Sequence, residues 1–269
     1  DSYLDYEISI EPFANPQGVT DEFGYGWSTS IVDQYISYNW IDISDNNETV
    51  IFETNDTSPG YFSIGFDFPF YGVIYSDILI NPNGWIGFGT DNDEWDNQGI
   101  FEDGSPSNAV FGYWDDLYPV NGANLQGSGE VRFSSSQDRM VVWYDNVIHW
   151  TDDEIVFDFQ IVLYPSGDIE INYQNMQGIS NDGGTVGIVN QNSTIGQQIG
   201  IGESEIDEQL TLLFKTSPDW IALSQLTGNL ESLESDDILI DINLDGYSDG
   251  DYTAYLNLST NASDDVIIP

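Results

Sequence analysis

Ile155-Val156-Phe157-Asp158-Phe159-Gln160-Ile161-Val162-Leu163-Tyr164-Pro165-Ser166-Gly167-Asp168-Ile169-Glu170-Ile171-Asn172-Tyr173 is the stretch that decides the fold class of this chain. Ile155, Phe157, Phe159, Ile161 and Leu163 point to one face, and Asp158 and Gln160 take the other. That is the two-residue period of a strand. Pro165-Ser166-Gly167-Asp168 supplies a turn, after which Ile169, Ile171 and Tyr173 resume the alternation.

The same period recurs on both sides. Ile78, Ile80 and then Trp85, Ile86, Phe88 flank Asn81-Pro82-Asn83-Gly84, which reads as a hairpin. Val141, Val142, Trp143 and Val147 form a further apolar run. No stretch has the period of a long amphipathic helix, and short strands broken by Gly, Asn, Asp and Pro predict an all-β chain. The expected architecture is a jelly-roll-like β-sandwich over residues 19–215, followed by a small, incomplete immunoglobulin-like β-sandwich over residues 219–269.

The boundary rests on Lys215-Thr216-Ser217-Pro218-Asp219, which follows the apolar strand Leu210–Phe214. Beyond it, Ile238, Ile240, Ile242 and Leu244 alternate with Leu239, Asp241 and Asn243, and Tyr252, Ala254, Leu256 and Leu258 alternate after the next turn. A full immunoglobulin-type sandwich takes about seven strands and about a hundred residues, so this unit is expected to need a strand from elsewhere. Residues 1–18 offer one. Leu4, Tyr6, Ile8 and Ile10 alternate with Asp5, Glu7, Ser9 and Glu11, and Pro12 and Pro16 follow. Two readings stand: an edge strand of its own first domain, or an arm that completes the open sandwich of a neighbouring subunit by strand addition. In the second, the partner is another copy of the chain and the product a fibre.

Charge bounds the partners. The 269 residues carry 47 Asp and Glu against three basic side chains, Arg132, Arg139 and Lys215, for a formal charge of −44. Nucleic acids and anionic membrane surfaces need Lys and Arg to displace their counterions, so both are excluded as partners. Hydrophobic residues make up 40% and aromatics 14%, which is core-forming composition rather than that of a disordered acidic tail. Self-repulsion at this charge is relieved by salt or divalent ions, and the expected setting is extracellular or cell-surface and saline. Cysteine is absent, which removes disulfides, thiolate nucleophiles and zinc–sulfur sites. No apolar run is long enough for a membrane-spanning helix.

Several segments resemble a β-sandwich region of large secreted bacterial surface proteins, often found beside subtilisin-like or gingipain-like proteases. They are Tyr38-Asn39-Trp40-Ile41-Asp42-Ile43, Ile64-Gly65-Phe66-Asp67-Phe68-Pro69-Phe70-Tyr71-Gly72, Asn83-Gly84-Trp85-Ile86-Gly87-Phe88-Gly89, Tyr113-Trp114-Asp115-Asp116-Leu117, Phe159 to Ile169, and Val186-Gly187-Ile188. The resemblance covers residues 23–214 and implies a non-catalytic accessory or surface module. Residues 219–269 are similar to the short immunoglobulin-like repeats that follow such modules, through Trp220-Ile221-Ala222-Leu223, Gly228-Asn229-Leu230 and Gly250-Asp251-Tyr252-Thr253-Ala254.

Candidate sites are few. His149 is the sole histidine, with Asp145, Asp152 and Asp153 nearby, but no Gly-x-Ser-x-Gly elbow accompanies it, and the chain is read as not an enzyme. Asp91, Asp93, Glu94 and Asp96 form an oxygen-rich loop that would suit calcium. Asp241-x-Asn243-x-Asp245-Gly246 starts like an EF-hand loop but has Tyr252 at its twelfth position. Trp27, Trp95, Tyr118 and Trp150 stand beside Asp and Asn as a possible glycan platform, which supports an alternative function as a carbohydrate-binding accessory module. Sequons at Asn47, Asn55, Asn192, Asn257 and Asn261 are candidate glycosylation sites.

Overall fold

The computed structural model describes residues 3–89, 93–119, 127–177, 183–200, 206, 208–218, 220–245, 252–262 and 266–268. Among them every regular element is a strand, and every strand pairing is antiparallel. One large sheet orders β2 (Tyr25–Thr29), β15 (Leu210–Thr216), β12 (Ile169–Gln177), β11 (Asp152–Leu163), β10 (Met140–His149), β9 (Glu130–Ser135) and β3 (Glu48–Thr49), with β8 (Leu117–Tyr118) also on β10. The other orders β14 (Gly196–Gly200), β13 (Thr185–Val189), β7 (Ala109–Trp114), β6 (Trp85–Gly87), β5 (Val73–Asn81) and β4 (Tyr61–Phe70).

The two sheets share one aromatic-rich core. Phe157, Phe159, Ile161 and Leu163 of β11 join Ile64, Phe68, Ile80, Phe88 and Val110 of the opposite sheet. The faces are pinned by tyrosines whose rings fill the core and whose hydroxyls need acceptors there. Tyr173 donates to the Gly112 carbonyl at 2.7 Å, and the Tyr144 hydroxyl lies 2.6 Å from the Asn81 carbonyl, both across the sandwich. The chain is an all-β sandwich, as the alternation predicts.

The outer face of β11 is also covered. Residues 39–43 cross it, and Gln160 clamps that segment by donating to the Ile41 carbonyl at 2.7 Å while accepting from the Ile41 amide at 3.2 Å. Beside it, Asn172 donates to Glu170 at 2.7 Å and accepts from the Thr211 hydroxyl at 2.6 Å, with Asn39 donating to both Glu170 and Thr211. Buried polar side chains persist here because each finds a partner.

Asp158 lies on this covered face, accepting from Trp143 Nε1 at 2.7 Å. Burial pushes its carboxyl up to about 6, against the pull of the Trp143 hydrogen bond and with help from the charge of Asp145. A raised folded-state value means that the native state holds the proton more tightly than the unfolded chain. The associated stability is therefore complete below about pH 4 and is lost as pH rises through about 6. Asp158→Asn keeps the acceptor for Trp143 without the charge. The variant should gain about 1–2 kcal/mol over the parent at pH 7 and nothing at pH 4, read as the pH dependence of the difference in denaturant midpoints. A difference independent of pH would contradict the assignment.

The remaining strands form a small unit built from both ends of the chain. β16 (Ile221–Leu223) pairs with β18 (Ile240–Ile242), so the long alternation from Ile238 to Leu244 yields only a short strand. A four-stranded sheet runs β17 (Thr227–Leu230), β1 (Leu4–Glu11), β19 (Tyr255–Thr260), β20 (Val266–Ile268). The arm was expected on a neighbouring subunit or at an edge of its own first domain. In this single chain it is not an edge strand of the first domain but an inner strand of its own chain's C-terminal sheet. Residues 12–18 are not a free linker either: Phe13 and Ala14 are buried, Asn15 donates to Asp33 at 3.2 Å, and Ser28 donates to the Asn15 carbonyl at 2.6 Å.

Candidate functional site

β1 occupies a slot with a ladder on each side. Leu4 to Glu7 pair with Leu230 to Thr227, and Tyr6 to Glu11 pair with Thr260 to Tyr255. Of the four residues expected on the buried face, Tyr6 and Ile8 are buried while Leu4 and Ile10 are half-buried. Gly228 lies opposite Tyr6 so closely that a Cβ there would stand 2.4 Å from the ring. Glycine thus leaves room for the ring, whose hydroxyl donates to Asp236 at 2.6 Å and accepts from Gln225. Asp5 is held by Asn229 at 2.6 Å and by Asn261 at 3.2 Å. This polar clasp gives the strand its register.

Asp93 and Asp96 are exposed and Glu94 half-buried, whereas Asp91 falls outside the described residues. Glu94 accepts from Trp114 Nε1 through its carbonyl at 3.2 Å and from the Asp96 amide through its carboxylate at 3.2 Å. Among the described residues no group of three or more acidic or histidine side chains is set to hold a metal. Carboxylates concentrate instead around Asp116, where burial pushes the carboxyl up to about 6, against the charge of His149 and with Asp56, Asp115 and Asp96 adding to the rise.

His149 faces Asp115 with Nε2 at 3.4 Å, because the end of β10 pairs with β8, which begins two residues after Asp115. Its Nδ1 is contacted by the amide and hydroxyl of Thr151 at 3.2 and 3.0 Å, a local turn contact. The sequons also separate by environment. Asn192 is exposed in a turn and Asn55 half-buried in a bend. The amides of Asn47 and Asn261 already donate to main-chain carbonyls, Ile43 and Ser44 for one and Tyr3 for the other, and Asn257 lies within β19 with its Oδ1 buried.

Of the expected aromatic platform, Trp27 is half-buried against the sandwich core. Trp150 and Tyr118 meet edge-to-face at 4.4 Å, and Trp95 is exposed on the acidic loop. A different aromatic site does form where the sandwich meets the C-terminal unit. Phe23, Tyr71, Trp220 and Tyr252 line a cleft of about 500 Å³ together with Asp168 and Lys215. Phe23 and Tyr71 lie 5.3 Å apart on one side, and Trp220 and Tyr252 meet edge-to-face at 6.2 Å on the other. Lys215 Nζ stands 3.7 Å from Asp168 Oδ2. Sequence reasoning missed this cleft because its residues come from separate segments with no shared spacing. The one available signal was that Lys215 is among only three cationic side chains.

A family model described as NIDO related matches residues 33–212, from the turn before the covering segment to the middle of β15. The chain belongs to the NIDO-related family. The match takes in both sandwich sheets apart from β2 and stops short of the C-terminal unit and β1, so the NIDO-related domain is the sandwich and the shared sheet is an addition to it. Membership points to an extracellular-type β domain. Among the described residues no helix is long and apolar enough to cross a membrane. No match was found among curated proteins or among solved structures.

Proposed function

We propose that this chain is a non-catalytic extracellular structural or adhesive protein whose β1 strand can be exchanged between copies to build a fibre. The observation that carries this reading is the position of β1, inner in a sheet whose other strands lie more than two hundred residues away. Every contact that seats β1 in its own chain is available to the β1 of a neighbour, so closed and exchanged forms share one interface and differ only in the hinge and in concentration. The Glu11–Pro12 step is the natural hinge, since residues beyond it are tied to the sandwich. A head-to-tail exchange does not close on itself and yields filaments. The non-catalytic part is supported by the enclosure of His149 between Asp115 and its local Thr151 turn, with no nucleophile elbow in the sequence.

A chain without cysteine allows a clean test. Ser9 and Asn257 are direct partners across β1 and β19, at a spacing that a disulfide can bridge. Chains carrying Ser9→Cys and Asn257→Cys, mixed at high concentration and oxidised, should give disulfide-linked heterodimers, with filaments visible by electron microscopy. If the double variant forms its bond within one chain while the mixed single variants stay uncrosslinked, exchange does not occur.

A further inference from the structure

We propose that the cleft between the NIDO-related domain and the C-terminal unit binds a short stretch of a neutral polysaccharide. Its two walls are aromatic: Phe23 and Tyr71 on the sandwich side, Trp220 and Tyr252 on the other. Ring faces and edges of this kind take up the C–H faces of a pyranose, while hydroxyl groups need donors and acceptors in the same site. Asp168 and Lys215 supply both, 3.7 Å apart and part-exposed at the cleft. Asp168 accepts and Lys215 donates, so a vicinal diol can bridge the pair. The volume of about 500 Å³ lies within the range of small-ligand sites and matches a few sugar residues.

Charge narrows the class. A chain of formal charge −44 repels anionic glycans, and the single ammonium in the cleft is already offset by Asp168. An extended proline-rich peptide would use the rings but has no use for a carboxylate–ammonium pair on the floor, which favours a polyol. The cleft lies within one chain, so it neither requires strand exchange nor stands or falls with it.

Monomeric protein at low concentration is run in affinity gels containing dextran, galactomannan or xyloglucan, with alginate as the anionic counterpart. Retardation is expected in at least one neutral gel and not in alginate. Trp220→Ala and Phe23→Ala should each weaken that retardation about tenfold or more in apparent Kd, and Lys215→Gln should weaken it without removing an aromatic wall. Trp95→Ala and Trp150→Ala should leave it unchanged. Lys215 is part-exposed, so its variant tests the site even where Trp220→Ala lowers the thermal midpoint. No retardation in any neutral gel, retardation that survives Phe23→Ala and Lys215→Gln, or preferential binding of a proline-rich peptide would each overturn the proposal.

Discussion

Ile8→Asp is expected to open the four-stranded sheet while leaving the NIDO-related domain folded. Ile8 is 9% exposed, sits opposite Leu258 and sends its amide to the Leu226 carbonyl at 2.7 Å. Replacing it removes about 1.5–3 kcal/mol of apolar burial, and an unpaired carboxylate in the same place adds a penalty of comparable size. Four short strands have little stability in reserve against such a loss. The sandwich core, centred on residues such as Phe68, Phe88, Tyr144 and Phe159, makes no use of Ile8. Hydrogen exchange is the decisive measurement: amides of β17 and β19 should lose protection, while those of β10 and β11 keep theirs and the main thermal transition moves by no more than a few degrees. Ile8→Val should cost only about 0.5–1.5 kcal/mol and leave the sheet closed. Protection lost evenly over both units would mean that they unfold together.

Gly84→Ala should strike the sandwich itself. Gly84 sits at φ +84°, and an added Cβ would stand 1.9 Å from the Tyr113 carbonyl oxygen and 3.0 Å from Leu117. Its own carbonyl accepts the Gly112 and Tyr113 amides at 3.1 Å each, so the turn between β5 and β6 cannot move away from β7 without releasing them. The strain of a left-handed alanine and the displacement of packed backbone together come to about 3–5 kcal/mol. The thermal midpoint should fall by about 10 °C or more, or the protein should fail to fold. A fall of only a few degrees would show that the turn can relax away from β7. Gly60, at φ +144° with nothing within 4 Å of an added Cβ, is the control: Ala there carries conformational strain without the collision.

The meander of β10, β11 and β12 was legible because alternation and a Pro-Ser-Gly-Asp turn are local signals that tertiary context did not overrule. The burial of Gln160, Asn172 and Thr211 was not. Alternation assigns residues to two faces but cannot say that residues 39–43 will lie across the second one. The strand nature of Leu4–Ile10 was equally plain, and the C-terminal unit was read as short of a strand. That the two meet within one chain is a statement about pairing over more than two hundred residues, to which a two-residue period is blind. The cleft at Phe23, Tyr71 and Trp220 depends on how the two units dock, and no single segment carries that information.

The shared sheet also fixes how the molecule bears tension. β1 and β19 are antiparallel, as are β19 and β20, so Leu4 and Ile268 leave the sheet at opposite ends. A pull applied to the two ends of the chain therefore loads both ladders in shear, with their hydrogen bonds strained together along the strands rather than unzipped one at a time. The force runs from β1 through β19 to β20 and bypasses the sandwich between them in sequence. The NIDO-related domain lies off this path, and a few short strands would carry such a load.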